Sequence, residues 1–317
     1  MNIVTTLKIP ELTLLQLRQR FPTVNFIVHN NIENAKNSLH IADVIVTFGE
    51  DINTEKLNQA KQLKWIMVMS AGMDKMPFKD IAQRGIVVTN VKGIHKMPMA
   101  EYTIGMMLQV AKEFPKLMKN QDNKVWDRTV VRMSELNEAT LCVIGIGAIG
   151  EEIARLAKAF NMKVIGVNTS GKADSVADTI VAMEDLNVVL PNADYIVSVL
   201  PSTPETKYCL NKKHFGVMKQ DAVFINIGRG DVVKDSVLIE VLQESLIKHA
   251  VLDVFEKEPL SSDHPFWDME NVTITPHTSS ITKKYLPRSM EIFEENLDRW
   301  LKGESELINK IDLNKGY

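Results

Sequence analysis

Cysteine is scarce: Cys142 and Cys209 are the only two in 317 residues. Two thiols cannot form a stapling framework. A chain of this length buries most of its apolar surface without disulfides, so a reducing compartment, the cytoplasm, is the expectation. Charge of one sign is also missing, with 37 basic against 40 acidic side chains and a formal charge of −3. That balance argues against a general electrostatic drive onto nucleic acid or an anionic membrane. No apolar run approaches the roughly 20 residues of a membrane-crossing helix. The opening MNIVTTLKIPELTLLQL lacks a basic segment leading into an apolar one, so a cleaved signal peptide is not expected. The seven histidines are dispersed, with no pair at zinc-like spacing beside cysteines, and no structural metal is expected. A G-x-S-x-G nucleophile elbow is absent, which removes support for a serine hydrolase.

What is present is alternation. Apolar runs of strand length at Ile3-Val4, Phe26 to Val28, Val44 to Val46 and Trp65 to Val68 are separated by amphipathic segments such as 11–20 and 54–60. Unbroken short strands between helices indicate βαβ units and a parallel sheet covered on both faces. One long helix is expected over 98–119, with Pro98 in its first turn, followed by a polar connecting segment over 120–138. A second α/β series then begins, with strands expected at 141–144, 164–167, 196–200, 223–227, 250–253 and 272–275. An amphipathic helix over 282–302 closes the pattern. At about 150 residues per domain, the length fits two domains.

The sharpest motif follows the first strand of the second series. Leu141 to Ile144 runs into Gly145-Ile146-Gly147-Ala148-Ile149-Gly150, a helix starts near Glu151, and a second strand ends near Val167. Gly145 permits a tight turn, Gly147 lets backbone approach a pyrophosphate, and Gly150 allows close packing of helix on strand. The helix start then offers free N–H groups and a favourable dipole to the phosphates. Alone, G-x-G-x-x-G is weak evidence; between a strand and a helix it indicates a dinucleotide site.

An acidic residue normally meets the adenosine ribose at the end of the second strand. This chain reads Asn168-Thr169-Ser170-Gly171-Lys172 there. An amide does not repel a 2′-phosphate, and Thr169, Ser170 and Lys172 supply donors and one positive charge. The loop therefore favours NADPH, although the same residues also suit an ordinary polar turn.

Three further residues each follow the C-terminal end of an expected strand: Arg229 in NIGRG, Glu258 in DVFEKEP and His277 in TPH. Ligands bind at that edge of open α/β sheets. Each taken singly also reads as a surface charge or a loop histidine.

With these residues in view, the sequence resembles the D-isomer-specific 2-hydroxyacid dehydrogenase family over essentially its whole length. The resemblance rests on GIGAIG, Leu200-Pro201-Ser202-Thr203-Pro204-Glu205-Thr206, NIGRG, DVFEKEP and TPH, with Ser70-Ala71-Gly72-Met73-Asp74 and Met99-Ala100-Glu101-Tyr102 upstream. It implies an α/β fold in which a Rossmann-type cofactor domain, 99–279, is inserted into a smaller flavodoxin-like substrate domain, 1–98, completed by 280–317. A cleft between domains and a homodimer formed through the cofactor domain are further implications.

The resemblance also implies a catalytic set of Arg229, Glu258 and His277. Substrate would be held by Arg229, His277 and the backbone around Ala71, Gly72 and Met73. Besides Gly145, Gly147, Ala148, Ile149, Gly150 and the Asn168 to Lys172 loop, cofactor contacts fall on Leu200, Pro201, Thr206, Ile227, Gly228, Arg229, Asp253, His277 and Ser279. Asp253 equally suits a strand-end cap, and Thr206 a turn. His95 and Lys75 lie in segments that the family places near substrate. The implied activity is reduction of a small 2-keto acid, such as glyoxylate or hydroxypyruvate, by NAD(P)H. Formate dehydrogenation is disfavoured because that branch pairs its histidine with Gln, whereas Glu258 stands here. Many phosphoglycerate dehydrogenases carry a regulatory domain beyond the point where this chain stops, which weakens that assignment. A cofactor-sensing, corepressor-like protein of the same fold is the alternative from another class.

Overall fold

The computed structural model describes residues 1–70, 73, 76–172 and 175–313. The chain forms two compact units, Met1–Ile94 with Lys283–Tyr317, and His95–Thr282.

The first unit holds five strands, β1 (Asn2–Thr5), β2 (Asn25–Val28), β3 (Val44–Thr47), β4 (Trp65–Val68) and β5 (Val87–Asn90), with helices α1 (Glu11–Arg20), α2 (Ile32–Ala35), α3 (Thr54–Gln59) and α4 (Phe78–Gln83). All strand pairs are parallel, in the order β2-β1-β3-β4-β5, which is the flavodoxin-like winding. Val44 to Thr47 and Trp65 to Val68 are buried along their whole length, as expected of central strands covered on both faces.

The second unit carries α5 (Lys96–Ala111), α6 (Phe114–Asp122), β6 (Thr140–Ile144), α7 (Ala148–Ala159), β7 (Lys163–Asn168), β8 (Thr179–Ala182), α8 (Leu186–Val189), β9 (Tyr195–Ser198), α9 (Lys212–Gly216), β10 (Val223–Asn226), α10 (Asp235–Gln243), β11 (His249–Leu252) and β12 (Val272–Ile274). Its seven strands run in the order β12-β11-β10-β9-β6-β7-β8, and every pairing is parallel. Read from β8, this is the Rossmann order extended by one strand, with the switch in winding direction between β6 and β9. Ala100, Ile104 and Met107 of α5 share a core with Ile153, Ala154 and Ala157 of α7, so α5 belongs to this unit from its first turn. The units divide at 94/95 and 282/283, a few residues outside the sequence-based 98/99 and 279/280.

The last helix, α11 (Tyr285–Leu301), returns to the first unit. Phe293 and Trp300 stack on Trp65 of β4 at ring separations of 5.9 and 5.5 Å. Tyr285 donates its hydroxyl to the Met69 carbonyl at 2.7 Å.

The single helix expected over 98–119 is two helices. Pro115 has no N–H to give to the Ala111 carbonyl and its ring would clash there. The chain turns instead at Glu113, which is left-handed at φ +50°, and Pro115 lies in the first turn of α6. The Ala111 carbonyl accepts from the Ser134 N–H at 2.9 Å. Strands β5 and β8 were also not anticipated. β8 is an edge strand of four residues with no buried member, and its apolar run is only Ile180-Val181-Ala182.

Candidate active site

Six loops leave the C-terminal ends of β6, β7, β9, β10, β11 and β12, all inside the second unit. Parallel pairing aligns those ends, so residues distant in sequence share one edge.

At β6 the glycine loop has the shape a pyrophosphate needs. Gly145 is left-handed at φ +97°. A Cβ on Gly150 would lie 2.7 Å from the Gly145 carbonyl oxygen, which ties the start of α7 to the loop. A Cβ on Gly147 would meet nothing within 4 Å, and both Gly147 and Ala148 are exposed. The space above Gly147 is therefore open at the mouth of a 12-residue helix. The first helical bond runs from the Glu151 N–H to the Gly147 carbonyl at 2.8 Å, so the first-turn amides of Ala148, Ile149 and Gly150 precede the helix's own ladder. These residues fit a bound dinucleotide.

At the end of β7, Asn168 shapes its own loop. Its side-chain oxygen accepts from the Gly171 N–H at 2.7 Å and the Ser170 N–H at 3.0 Å. Its amide donates to the Lys172 carbonyl at 3.1 Å. Thr169, Ser170 and Lys172 are exposed.

The loop after β9 is a hydroxyl-pinned turn, in which Thr206 Oγ1 donates to the Pro201 carbonyl at 2.6 Å. Leu200 is half-buried and Pro201 exposed. After β10, Ile227 and Gly228 are buried. Asn226 receives the Gly228 N–H at 3.2 Å and donates to the Arg229 carbonyl at 3.0 Å. Arg229 is half-buried, and one guanidinium nitrogen donates to the Gly228 carbonyl at 3.0 Å. Burial, and then the positive charge of Arg229, lower the basicity of His95.

The loops after β11 and β12 meet at the histidine. His277 Nδ1 and Glu258 Oε2 are 2.8 Å apart, with 46% and 37% of their side chains exposed. Glu258 is steadied by the Phe255 N–H, which donates to Oε1 at 3.1 Å. A carboxylate accepts only, so a neutral His277 carries its proton on Nδ1 and leaves Nε2 for exchange.

Asp253 is fully buried at the end of β11. Its Oδ1 accepts from Thr275 Oγ1 at 2.5 Å and the Thr278 N–H at 2.8 Å, and its Oδ2 from the Ser279 N–H at 2.9 Å. Ser279 is 3% exposed, and its Oγ is buried without a hydrogen-bond partner. Such an orphaned donor suits a polar group arriving with a ligand.

The structure thus joins Glu258 to His277 and gathers the glycine loop, the Asn168 loop, Arg229 and Asp253 along one sheet edge. Of the proposed substrate backbone, Met73 is buried in a core of the first unit, and Ala71 and Gly72 lie outside the described residues, as does Lys75. Two contacts escaped the sequence reading. Ser202 donates to Asp231 Oδ2 at 2.6 Å, and Tyr102 meets Thr275 at 2.6 Å. The neighbouring motifs LPSTPET and MAEY mark the regions but not the pairings. Among the described residues, no three His, Cys, Asp or Glu side chains are grouped to hold a metal, and no helix is long and apolar enough to cross a membrane.

Comparison with known proteins bears on the same unit. Residues 104–279 match the model of the D-isomer specific 2-hydroxyacid dehydrogenase, NAD binding domain. A D-3-phosphoglycerate dehydrogenase of Methanocaldococcus jannaschii is 33% identical over 267 residues, covering 83% of this chain and 50% of that protein. The chain thus spans about half the length of that relative. A glyoxylate reductase of Thermofilum pendens is 34% identical, covering 82% of this chain and 79% of its own. Among solved structures, a D-isomer specific 2-hydroxyacid dehydrogenase family protein from Aeromonas salmonicida superposes with a TM-score of 0.89 at 31% identity, over 98% of this chain and 99% of that one.

Proposed function

Because the chain belongs to the D-isomer specific 2-hydroxyacid dehydrogenase family, we propose that it is an NAD(P)H-dependent reductase of small 2-keto acids, reversible as a D-2-hydroxyacid dehydrogenase. The observation that carries the reading is the Glu258–His277 pair at 2.8 Å, in the same unit as an open glycine loop.

Gly145 to Gly150 would hold the pyrophosphate, with Asn168, Thr169, Ser170 and Lys172 at the adenosine end. Leu200, Pro201, Thr206, Ile227, Gly228 and Ser279 line the remaining strand ends. When bound, the nicotinamide supplies or removes the hydride. The chain's residues manage charge and protons. Arg229, permanently cationic and planar, binds the substrate carboxylate and polarises the C2 carbonyl. Protonated His277 gives a proton to the carbonyl oxygen as negative charge develops there, and neutral His277 takes it back in oxidation. Glu258 fixes the tautomer and the orientation of the ring. Half exposure of the ring lets it re-equilibrate with solvent between turnovers. We assign NADPH as the preferred cofactor from the Asn168 loop, and a homodimer through the cofactor unit as the assembly.

The test is a panel of NADH and NADPH against glyoxylate, hydroxypyruvate, pyruvate and bulkier 2-keto acids, followed by nicotinamide absorbance. Oxidation with a small keto acid is expected, faster with NADPH. No oxidation with any pair would overturn the reading.

A further inference from the structure

Thr275 has one hydroxyl hydrogen and two neighbours for it. Its Oγ1 lies 2.5 Å from Asp253 Oδ1 and 2.6 Å from the Tyr102 hydroxyl. The carboxylate can only accept, so the Thr275 hydrogen goes to Asp253 and Tyr102 must donate to Thr275. The result is a directed chain, from Tyr102 to Thr275 to Asp253, linking α5 to a turn 173 positions away. Burial, and then the Asp253 charge, push the Tyr102 phenol up to about 12, so it stays a neutral donor at any working pH.

The far end of this chain encloses the histidine. Asp253 accepts from residues 275, 278 and 279, on both sides of His277. The His277 N–H points back into the same knot, to the Asp253 carbonyl at 2.8 Å and the Thr275 carbonyl at 3.0 Å. His277 itself is left-handed at φ +53°. For a residue with a Cβ that backbone is unfavourable and persists only where surrounding bonds over-determine it. The other anchorage is α5, whose Met99, Ala100 and Thr103 are buried beside Tyr102.

We propose that Tyr102 is a positioning residue for His277, acting through Thr275 and Asp253 to hold the imidazole against Glu258. The proposal rests on the catalytic reading above for its kinetic consequence, but not for its structural one. Without the phenol hydroxyl, Thr275 loses the donor that fixes its rotamer. The 275–279 turn loosens, and Nδ1 no longer keeps a single partner.

The test uses the full-length chain with Tyr102→Phe, Thr275→Val and Thr275→Ser. Nitrogen NMR of labelled histidine, recorded in alkali where imidazoles are neutral and without any ligand, reads the His277 tautomer, with His277→Gln identifying its signals. The native protein should show one dominant tautomer protonated at Nδ1. In Tyr102→Phe and Thr275→Val the two ring-nitrogen signals should move towards each other, and Thr275→Ser should restore the native positions. In turnover with glyoxylate and NADPH, kcat should fall about threefold to tenfold in the first two variants, the loss expected for one partly buried hydrogen bond. KM for NADPH should stay within about twofold. Unchanged His277 signals in folded Tyr102→Phe would overturn the proposal. Shifted signals in a protein that reduces no keto acid would uphold the tether and sink the catalytic reading alone.

Discussion

Gly230 lies against Phe255 so closely that a Cβ on Gly230 would sit 1.9 Å from the Phe255 carbonyl carbon and 2.5 Å from the Glu256 nitrogen. The loop carrying Arg229 and the loop leading to Glu258 are thereby packed backbone on backbone. Neither can yield as the end of a flexible side chain would. Gly230→Ala should force them apart, at an overpacking cost of about 1–3 kcal/mol, lowering Tm by about 2–12 °C in a unit of this size. Differential scanning calorimetry checks this, and an unchanged Tm would remove the claim that the contact sets the loop spacing.

Two glycines of the β6 loop should respond in opposite ways. A methyl at Gly147 meets open space, whereas one at Gly150 meets the Gly145 carbonyl oxygen at 2.7 Å and Val143 at 3.0 Å. Gly147→Ala at the N-cap of α7 should cost no more than about 1 kcal/mol of stability, yet weaken NADPH binding by about tenfold or more, because the methyl occupies the approach to the phosphates. Gly150→Ala should chiefly lower Tm. Calorimetric titration and thermal melts on both variants separate the effects, and equal losses of affinity with no change in either Tm would count against the cradle.

Asn168→Asp retains an acceptor for the Ser170 and Gly171 amides while giving up the bond to the Lys172 carbonyl. The loop should survive. A carboxylate there accepts from a ribose hydroxyl and repels a 2′-phosphate. The ratio of kcat/KM for NADPH over NADH should fall by about tenfold. An unmoved ratio would show that this loop does not read the phosphate.

His249 gives a pH prediction independent of catalysis. Burial, and then Lys248, push its imidazole down to about 4, and its Nε2 lies 2.9 Å from Thr273 Oγ1. An unfolded histidine titrates near 6.5. Between pH about 6.5 and about 4 the unfolded chain therefore binds more protons than the folded one, and stability falls as pH falls through that window. Above it the contribution is fully present. Urea midpoints at neutral and mildly acid pH should diverge in the native protein and converge in His249→Gln. Parallel losses in the two proteins would contradict the assignment.

Much of this fold is legible in sequence because parallel strands buried on both faces announce themselves as apolar runs, and the Rossmann turn as spaced glycines. Glu258 and His277 were visible from their positions after strands. Their contact was implied by the family resemblance and by no local pattern, because it depends on two loops 19 positions apart closing on one another. The break at Glu113 was readable from Pro115 and was masked by the apolar periodicity on both sides. β8 offers only the short Ile180-Val181-Ala182 run, too brief to tell a strand from a turn or a helix segment. Asn168 reads as favouring NADPH, yet the same amide suits a polar turn, and here it bonds its own loop. The Tyr102–Thr275–Asp253 chain is invisible to any local pattern, as only the completed sheet brings α5 beside the end of β12.

The central claim is that His277 moves the proton in keto acid reduction. The most direct measurement is steady-state turnover of His277→Ala with NADPH and glyoxylate, alongside NADPH affinity by titration. Affinity within about threefold of the native value, with kcat reduced by about 10² to 10⁴, is the expected result. Near-native turnover in a folded, cofactor-binding variant would contradict it.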